Sequence, residues 1–392
     1  MSSHETSRTF KRMPRAIALA AATVACGGAL LGANTLTSTA MPMQPMMSTS
    51  MPARMTTMPL GGRTRRVDPQ MKAVLMSLME LKPKPIEKLT PAQARKQPGP
   101  PQAVKRTLEK QGGSTAPEPV DSVRDMMIPG NGRSAAQIPV RVYRPRNSGT
   151  ATLPVLVYFH GGGFVIASVA AYDSSCRALA NTANCMVVSV GYRYAPEHRI
   201  PAAHEDAYAA TQYVMNNAGK MMGDTRRVAV GGESAGGNLA TDMCIMARDR
   251  GGKMPVAQML VYPYVDARAQ AMNYPSALEN AKVMPLNRAM LGWFARYALP
   301  QRRTPALNKL IAPLVFANVR GLPPATIVLA EIDPLLSQGQ QYARKLARAG
   351  VPTRVRLFKG VTHEFFGMGA VIDQSKQAVA FAANGLKAAF NR

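Results

Sequence analysis

The feature that most constrains this chain is a serine flanked by small residues where a strand meets a helix: Gly232-Glu233-Ser234-Ala235-Gly236. Before it, Arg227-Val228-Ala229-Val230-Gly231 is a short apolar, β-branched run. From Gly237 to Arg248, Leu239, Met243 and Met246 recur at helical spacing. Small residues on both sides let the backbone take a sharp turn that holds the hydroxyl clear of its surroundings. A serine hydroxyl is a poor nucleophile at neutral pH. A chain that uses one must present it to a base and aim backbone N–H groups at the incoming carbonyl.

The base follows by elimination. Of the five histidines, His4, His160, His198, His204 and His363, only His363 lies after Ser234. The apolar run Val355 to Phe358 and a turn expected over Lys359-Gly360-Val361-Thr362 place it on a loop past a strand. The acid has more candidates: Asp242, Asp249, Asp266, Glu279, Glu331 and Asp333 all lie between serine and histidine. Asp242 and Asp249 belong to the helix leading away from the serine, and Glu279 lies in a helical region apart from the strands. Asp333 follows the expected strand Ala325 to Ala330 and precedes Pro334, where the chain must turn. Asp266, at the end of an expected strand Val256 to Val261, is the runner-up. Either would hold the histidine in the right tautomer and stabilise its imidazolium.

A third motif, His160-Gly161-Gly162-Gly163-Phe164, follows the apolar run Pro154 to Phe159. Successive glycines let main-chain N–H groups approach a substrate oxygen with no Cβ in the way. Gly162 and Gly163, with the N–H of Ala235, are the expected donors to a tetrahedral oxyanion. A phosphate-binding loop does not fit, because no Lys-Ser/Thr follows and the spacing is not G-x-G-x-x-G.

With these motifs in this order, the chain resembles the hormone-sensitive-lipase-like microbial carboxylesterases from about Val67 onward. The resemblance also rests on Tyr192-Arg193-Tyr194-Ala195-Pro196-Glu197-His198, Pro201 to Asp206, Trp293-Phe294, Leu322-Pro323-Pro324-Ala325, Asp333-Pro334-Leu335 and His363-Glu364-Phe365. It implies an α/β-hydrolase fold, a mostly parallel central sheet flanked by helices with a helical cap. It also implies Ser234, Asp333 and His363 as catalytic triad, with Gly162, Gly163 and Ala235 as oxyanion donors. The sequence departs from the family's usual pattern at Glu233, where Asp or Thr is common, at Leu336-Ser337-Gln338-Gly339, and at Gly191. A serine peptidase of the prolyl-oligopeptidase type shares the chain order but carries a large propeller that is absent here. A non-catalytic receptor on the same fold lacks the histidine that this chain has.

The stretch 121–392 is long enough to bury one substantial core as the catalytic domain. Residues 1–40 read as an export leader: Arg8, Lys11, Arg12 and Arg15 precede the uncharged run Ala16 to Ala33. A membrane anchor, or a lipid on Cys26, is the alternative, so the expected location is periplasmic, secreted or envelope-anchored. Residues 41–66 form a linker with seven methionines between Met41 and Met58, for which Cu(I) binding is the competing role. Helical spacing of Met71, Val74, Leu75 and Leu78 marks the start of a helical segment over 67–120. By resemblance this segment and 276–299 form the cap. In the second, Met290, Trp293, Phe294 and Tyr297 make a stripe that reads as core more than substrate contact.

Cys176, Cys185 and Cys244 read as small buried hydrophobes rather than a disulfide framework. No His/Cys spacing suits a metal, and no cofactor is expected. The first forty residues contribute +3 of the +26 formal charge, leaving +23, with concentrations at Arg302-Arg303 and from Arg344 to Lys359. No nucleic-acid motif accompanies it. The basic residues read first as a solvated surface, with attraction to an anionic envelope as the competing role; the expected partner is a small-molecule ester, and a homodimer stays open.

Overall fold

The computed structural model describes residues 66–391. The leader expected over 1–40, Cys26 and the methionine-rich stretch Met41 to Met58 lie outside the described residues.

Among the described residues eight strands form one sheet: β1 (Ser122–Pro129), β2 (Gln137–Arg144), β3 (Leu153–Phe159), β4 (Met186–Val190), β5 (Gly223–Glu233), β6 (Gln258–Val261), β7 (Ala325–Ile332) and β8 (Thr353–Thr362). Their order is β1-β2-β4-β3-β5-β6-β7-β8. The β1–β2 and β2–β4 pairs are antiparallel, and every pair from β4 to β8 is parallel. The N-terminal segment gives α1 (Pro69–Glu80), α2 (Pro91–Ala94) and α3 (Pro100–Lys110). Crossovers follow as α4 (Asp173–Ala183), α5 (Ala202–Asn217) and α6 (Ala235–Arg250). Between β6 and β7 lie α7 (Pro275–Glu279), α8 (Arg288–Ala298), α9 (Pro305–Ile311) and α10 (Pro313–Phe316). The last two are α11 (Leu336–Arg348), joining β7 to β8, and α12 (Asp373–Phe390).

The inner parallel strands β3, β4, β6 and β7 are apolar on both faces, as strands covered by helices on each side must be, whereas the edge strand β8 exposes Arg354, Val355, Arg356 and Leu357. Alternate residues go to opposite layers. Val155, Val157, Val230, Leu260 and Ile327 pack with Leu239 of α6 and Leu346 of α11. Their neighbours Leu156, Tyr158, Ala229, Met259 and Val328 pack with Leu179 of α4 and Leu386 of α12. Cys176, Cys185 and Cys244 are buried free thiols in these layers.

Register delivers the chemical motifs to one end of the sheet. Phe159 pairs with Gly232, so the glycine loop after β3 lies beside the serine turn after β5. Ile332 pairs with Thr362, so Asp333 and His363 leave neighbouring strands one residue later. In a parallel sheet, crevices of this kind form beyond the carboxyl ends of the strands.

Two expectations change. The helical stretch expected from Asp68 is three helices and a 3-10 turn at Ile86–Lys88, because Pro83, Pro85, Pro91, Pro98, Pro100 and Pro101 interrupt it. Only α1 carries the expected stripe. Asp68 caps it by accepting from the N–H groups of Gln70 and Met71, and Met71, Val74 and Leu78 are buried against the sheet layer that holds Phe358 and Val361. The turn expected at Lys359 to Thr362 is instead the end of β8. Gly360, at φ 71°, accommodates a register shift opposite Ala330–Ile332 without ending the strand.

Candidate active site

Ser234 sits at φ 57° and ψ −115°, a conformation that a residue with a Cβ adopts only under strain. The turn is held from three sides: Ser234 N–H donates to Val261 O at 2.9 Å, while Asn238 and Tyr264 N–H donate to Ser234 O at 3.1 and 3.0 Å. Its glycines are required. A Cβ on Gly232 would lie 2.4 Å from Phe159 O, and one on Gly236 would lie 1.9 Å from the same oxygen.

His363 and Asp333 are brought together as the register dictates. His363 Nδ1 lies 2.8 Å from Asp333 Oδ2, and a carboxylate accepts, so Nδ1 carries the proton and Nε2 presents its lone pair. Asp333 is fully buried and accepts from Leu335 N–H at 2.8 Å through its other oxygen. Its own carbonyl takes a bond from Asn280 Nδ2 just after α7. Burial lowers the His363 pKa, but Asp333, by charge and hydrogen bond, with Glu364 and Glu233 behind it, leaves the ring above its ordinary value. The runner-up acid faces elsewhere. Asp266 is fully buried and occupied by Arg268 at 2.9 and 2.8 Å and by Tyr274 Oη at 2.8 Å.

The glycine loop after β3 has Gly162 at φ 100° and Gly163 at φ 60°. Gly162 O accepts from the N–H groups of Val165 and Ile166 at 3.0 and 2.9 Å, which closes the loop on itself. Beneath it, His160 is fully buried and pushed down to about 4 by desolvation, so its ring is neutral at ordinary pH. It donates from Nδ1 to Gly161 O at 2.8 Å, while Tyr192 Oη donates to His160 O at 2.8 Å.

The helices between β6 and β7 touch both loops. The Phe294 ring of α8 packs so closely on Gly163 that a Cβ there would lie 2.2 Å from it. Ser276 of α7 donates to Pro334 O at 2.8 Å, beside the acid. Trp293 Nε1 donates to Leu89 O at 2.9 Å, joining α8 to the N-terminal segment. Trp293 and Phe294 are buried, whereas Met290 and Tyr297 are half-buried. The stretch after the acid, where the family usually carries further acids, has a structural use: Gln338 Oε1 accepts from the N–H groups of Val265 and Asp266.

Three contacts escaped sequence reasoning. Arg95, after α2, donates to Val165 O at 2.8 Å and Ala195 O at 2.7 Å, and forms a fork with Glu197. Glu364 lies beside the histidine under Tyr172. Glu233 is fully buried and accepts from Tyr158 and Tyr262. Nothing in a single sequence signals pairs so far apart along the chain.

Glu233 carries a testable consequence. Burial, then the charge of Glu364, pushes its pKa up to about 7 from an ordinary 4.5. A carboxyl raised in the folded state stabilises fully below its unfolded value and loses that contribution as pH rises through its folded value. Melting temperature should therefore fall between about pH 4.5 and about 7 in the native protein. Glu233→Gln should flatten this slope and keep turnover within about tenfold, since an amide still bonds both phenols. Parallel melting curves across pH in the two proteins would contradict it, and so would a loss of turnover like that of Ser234→Ala.

A serine on a strand–helix turn, a buried His–Asp pair and a glycine loop, all beyond the carboxyl ends of one parallel sheet, define a serine hydrolase of the α/β-hydrolase class. A model described as alpha/beta hydrolase fold matches residues 156–367. The chain belongs to this family, in its hormone-sensitive-lipase-like branch. It is 39% identical over 251 residues to the carboxylic ester hydrolase LipN of Mycobacterium tuberculosis, a match covering 63% of this chain and 65% of that one. It is 35% identical over 276 residues to an ethyl acetate hydrolase of Pseudomonas putida, covering 69% and 84%. Among solved structures, an esterase of Pyrobaculum calidifontis superposes with a TM-score of 0.72 at 36% identity, over 82% of this chain and 98% of that one.

Proposed function

We propose that this protein is a serine carboxylic ester hydrolase that turns over short- to medium-chain acyl esters through a covalent acyl-enzyme. The observation that carries the reading is the His363–Asp333 bond of 2.8 Å, which leaves Nε2 as the available base beyond the same strand ends as Ser234. His363 Nε2 takes the Ser234 proton as the oxygen attacks the ester carbonyl. The tetrahedral oxyanion is met by N–H groups of Gly162, Gly163 and Ala235. His363 then gives the proton to the departing alkoxide, and water repeats the two steps on the acyl-enzyme to release acid and regenerate serine. Neutral His160 and Tyr192 support this role by fixing the start of the glycine loop.

Chain length tests it. Phe294 against Gly163 and the bonds from Ser276 and Asn280 to the acid loop support a roofed pocket of limited volume. Each buried methylene gains about 0.8 kcal/mol until such a pocket is full. In a series of p-nitrophenyl esters, kcat/KM should rise to a maximum at acyl chains of roughly four to eight carbons and then fall. Peptide amides run alongside should turn over far more slowly. Efficient cleavage of emulsified long-chain triglyceride, rising at the oil interface, would contradict the closed pocket. Preference for the amide would favour the peptidase reading.

A further inference from the structure

Glu364 directly follows the base at φ 69° and ψ 2°, in the left-handed region that suits glycine and strains a residue with a Cβ. Yet the sequence places a glutamate there, and its carboxylate is fixed. The Tyr172 hydroxyl lies 2.8 Å from both carboxylate oxygens, and Oε1 lies 3.8 Å from His363 Nε2, on the ring edge opposite Asp333. Tyr172 is itself wedged against the glycine loop, since a Cβ on Gly161 would fall 2.3 Å from its hydroxyl. Glu364 thus ties the base to the loop expected to hold the oxyanion. Strain retained next to a reacting group is a recognised sign of functional use.

We propose that Glu364 is a positioning residue for His363, a second carboxylate on the Nε2 side whose charge stabilises the imidazolium while the serine proton is in transit. The proposal rests on the ester-hydrolase reading above. At 3.8 Å the pair is too long for a hydrogen bond, so the half-buried carboxylate acts on the buried ring through its field. The groups facing the ring are Asp333 after β7, Glu233 at the end of β5, and Tyr262 after β6, whose ring centroid is 4.4 Å from that of His363. Tyr158 of β3 backs Glu233, and Tyr172 backs Glu364.

The direction of the effect follows. Ester turnover needs neutral His363, so the acid limb of kcat/KM reports its pKa in the free enzyme. Removing a nearby negative charge lowers that pKa. In Glu364→Gln and Glu364→Gly the acid limb should therefore move to lower pH by about half a unit or more. Plateau kcat should fall several-fold with KM nearly unchanged, because the imidazolium is stabilised chiefly in the transition state. Tyr172→Phe should shift the limb the same way by less, since losing the phenol bond makes Glu364 harder to ionise. Glu364→Gly relieves the backbone and should melt higher than the native protein, which separates the effect from misfolding.

An NMR titration of the His363 ring in the native protein and in Glu364→Gly reads the same shift without turnover. An unmoved limb together with an unmoved ring titration in both Glu364 variants would overturn the proposal, even if kcat fell. A shifted ring titration in a protein that hydrolyses no ester would uphold the coupling and overturn the ester-hydrolase reading instead.

Discussion

Replacing Ser234 with alanine is expected to lower ester turnover by at least about 10⁴-fold, and His363→Ala by a similar amount, because members of a triad act as a unit. The two residues reach the same crevice from different strands, Ser234 at the end of β5 and His363 after β8. Asp333→Ala should be one to two orders of magnitude milder, about what the loss of an orienting carboxylate costs when base and nucleophile remain. It removes the 2.8 Å bond that fixes the tautomer of His363, so the ring is free to turn its protonated nitrogen toward the serine. Asp266→Ala is the informative control. Its carboxylate is occupied by Arg268 and Tyr274, so its loss should show in thermal stability more than in kcat. Near-normal turnover in Asp333→Ala with collapse in Asp266→Ala would assign the acid to Asp266.

The second large effect is expected in the glycine loop. At φ 100°, Gly162 has a backbone that alanine does not readily adopt, and a Cβ would fall 2.2 Å from Ile166 O, a main-chain atom of the residue whose N–H closes the same loop. Gly162→Ala must move the loop, and with it the N–H groups proposed to meet the oxyanion. A loss of about 10²- to 10³-fold in kcat is expected, the scale seen when one such donor is removed, with little change in KM. Gly163→Ala differs in a useful way. Its Cβ would meet the Phe294 ring at 2.2 Å, a side chain that can be shortened. Phe294→Ala should therefore recover part of the kcat lost in Gly163→Ala and none of that lost in Gly162→Ala. Equal recovery in both, or kcat near the native value in Gly162→Ala, would show that the loop does not hold the oxyanion.

What could be read in the sequence was what local chemistry and chain order dictate. The small residues around Ser234 announced the turn, and the position of Asp333 before Pro334 placed it at a strand end. The elimination that left His363 needed only chain order. The register that sets Asp333 against His363 depends on Ile332 meeting Thr362, which no local pattern encodes. At the end of β8 Gly360 signals a turn in the sequence, whereas in the fold it serves a bulge inside a strand. The N-terminal stripe marked α1 well, but α1 packs on the sheet layer, and Leu89 and Arg95 are what reach α8 and the glycine loop. Glu233 and Glu364 were legible as departures or motif members. Their phenol partners, Tyr158, Tyr172 and Tyr262, come from other elements and emerge only with the fold.

The central claim is that Ser234 becomes covalently acylated with His363 as its base. Treating the protein with a p-nitrophenyl phosphonate ester, then weighing the intact chain and mapping its peptides by mass spectrometry, tests this most directly. One phosphonyl group should attach, on Ser234, with release of one equivalent of nitrophenol, while Ser234→Ala takes up none and His363→Ala reacts far more slowly. A label on any other residue, or continued ester turnover in Ser234→Ala, would contradict the account.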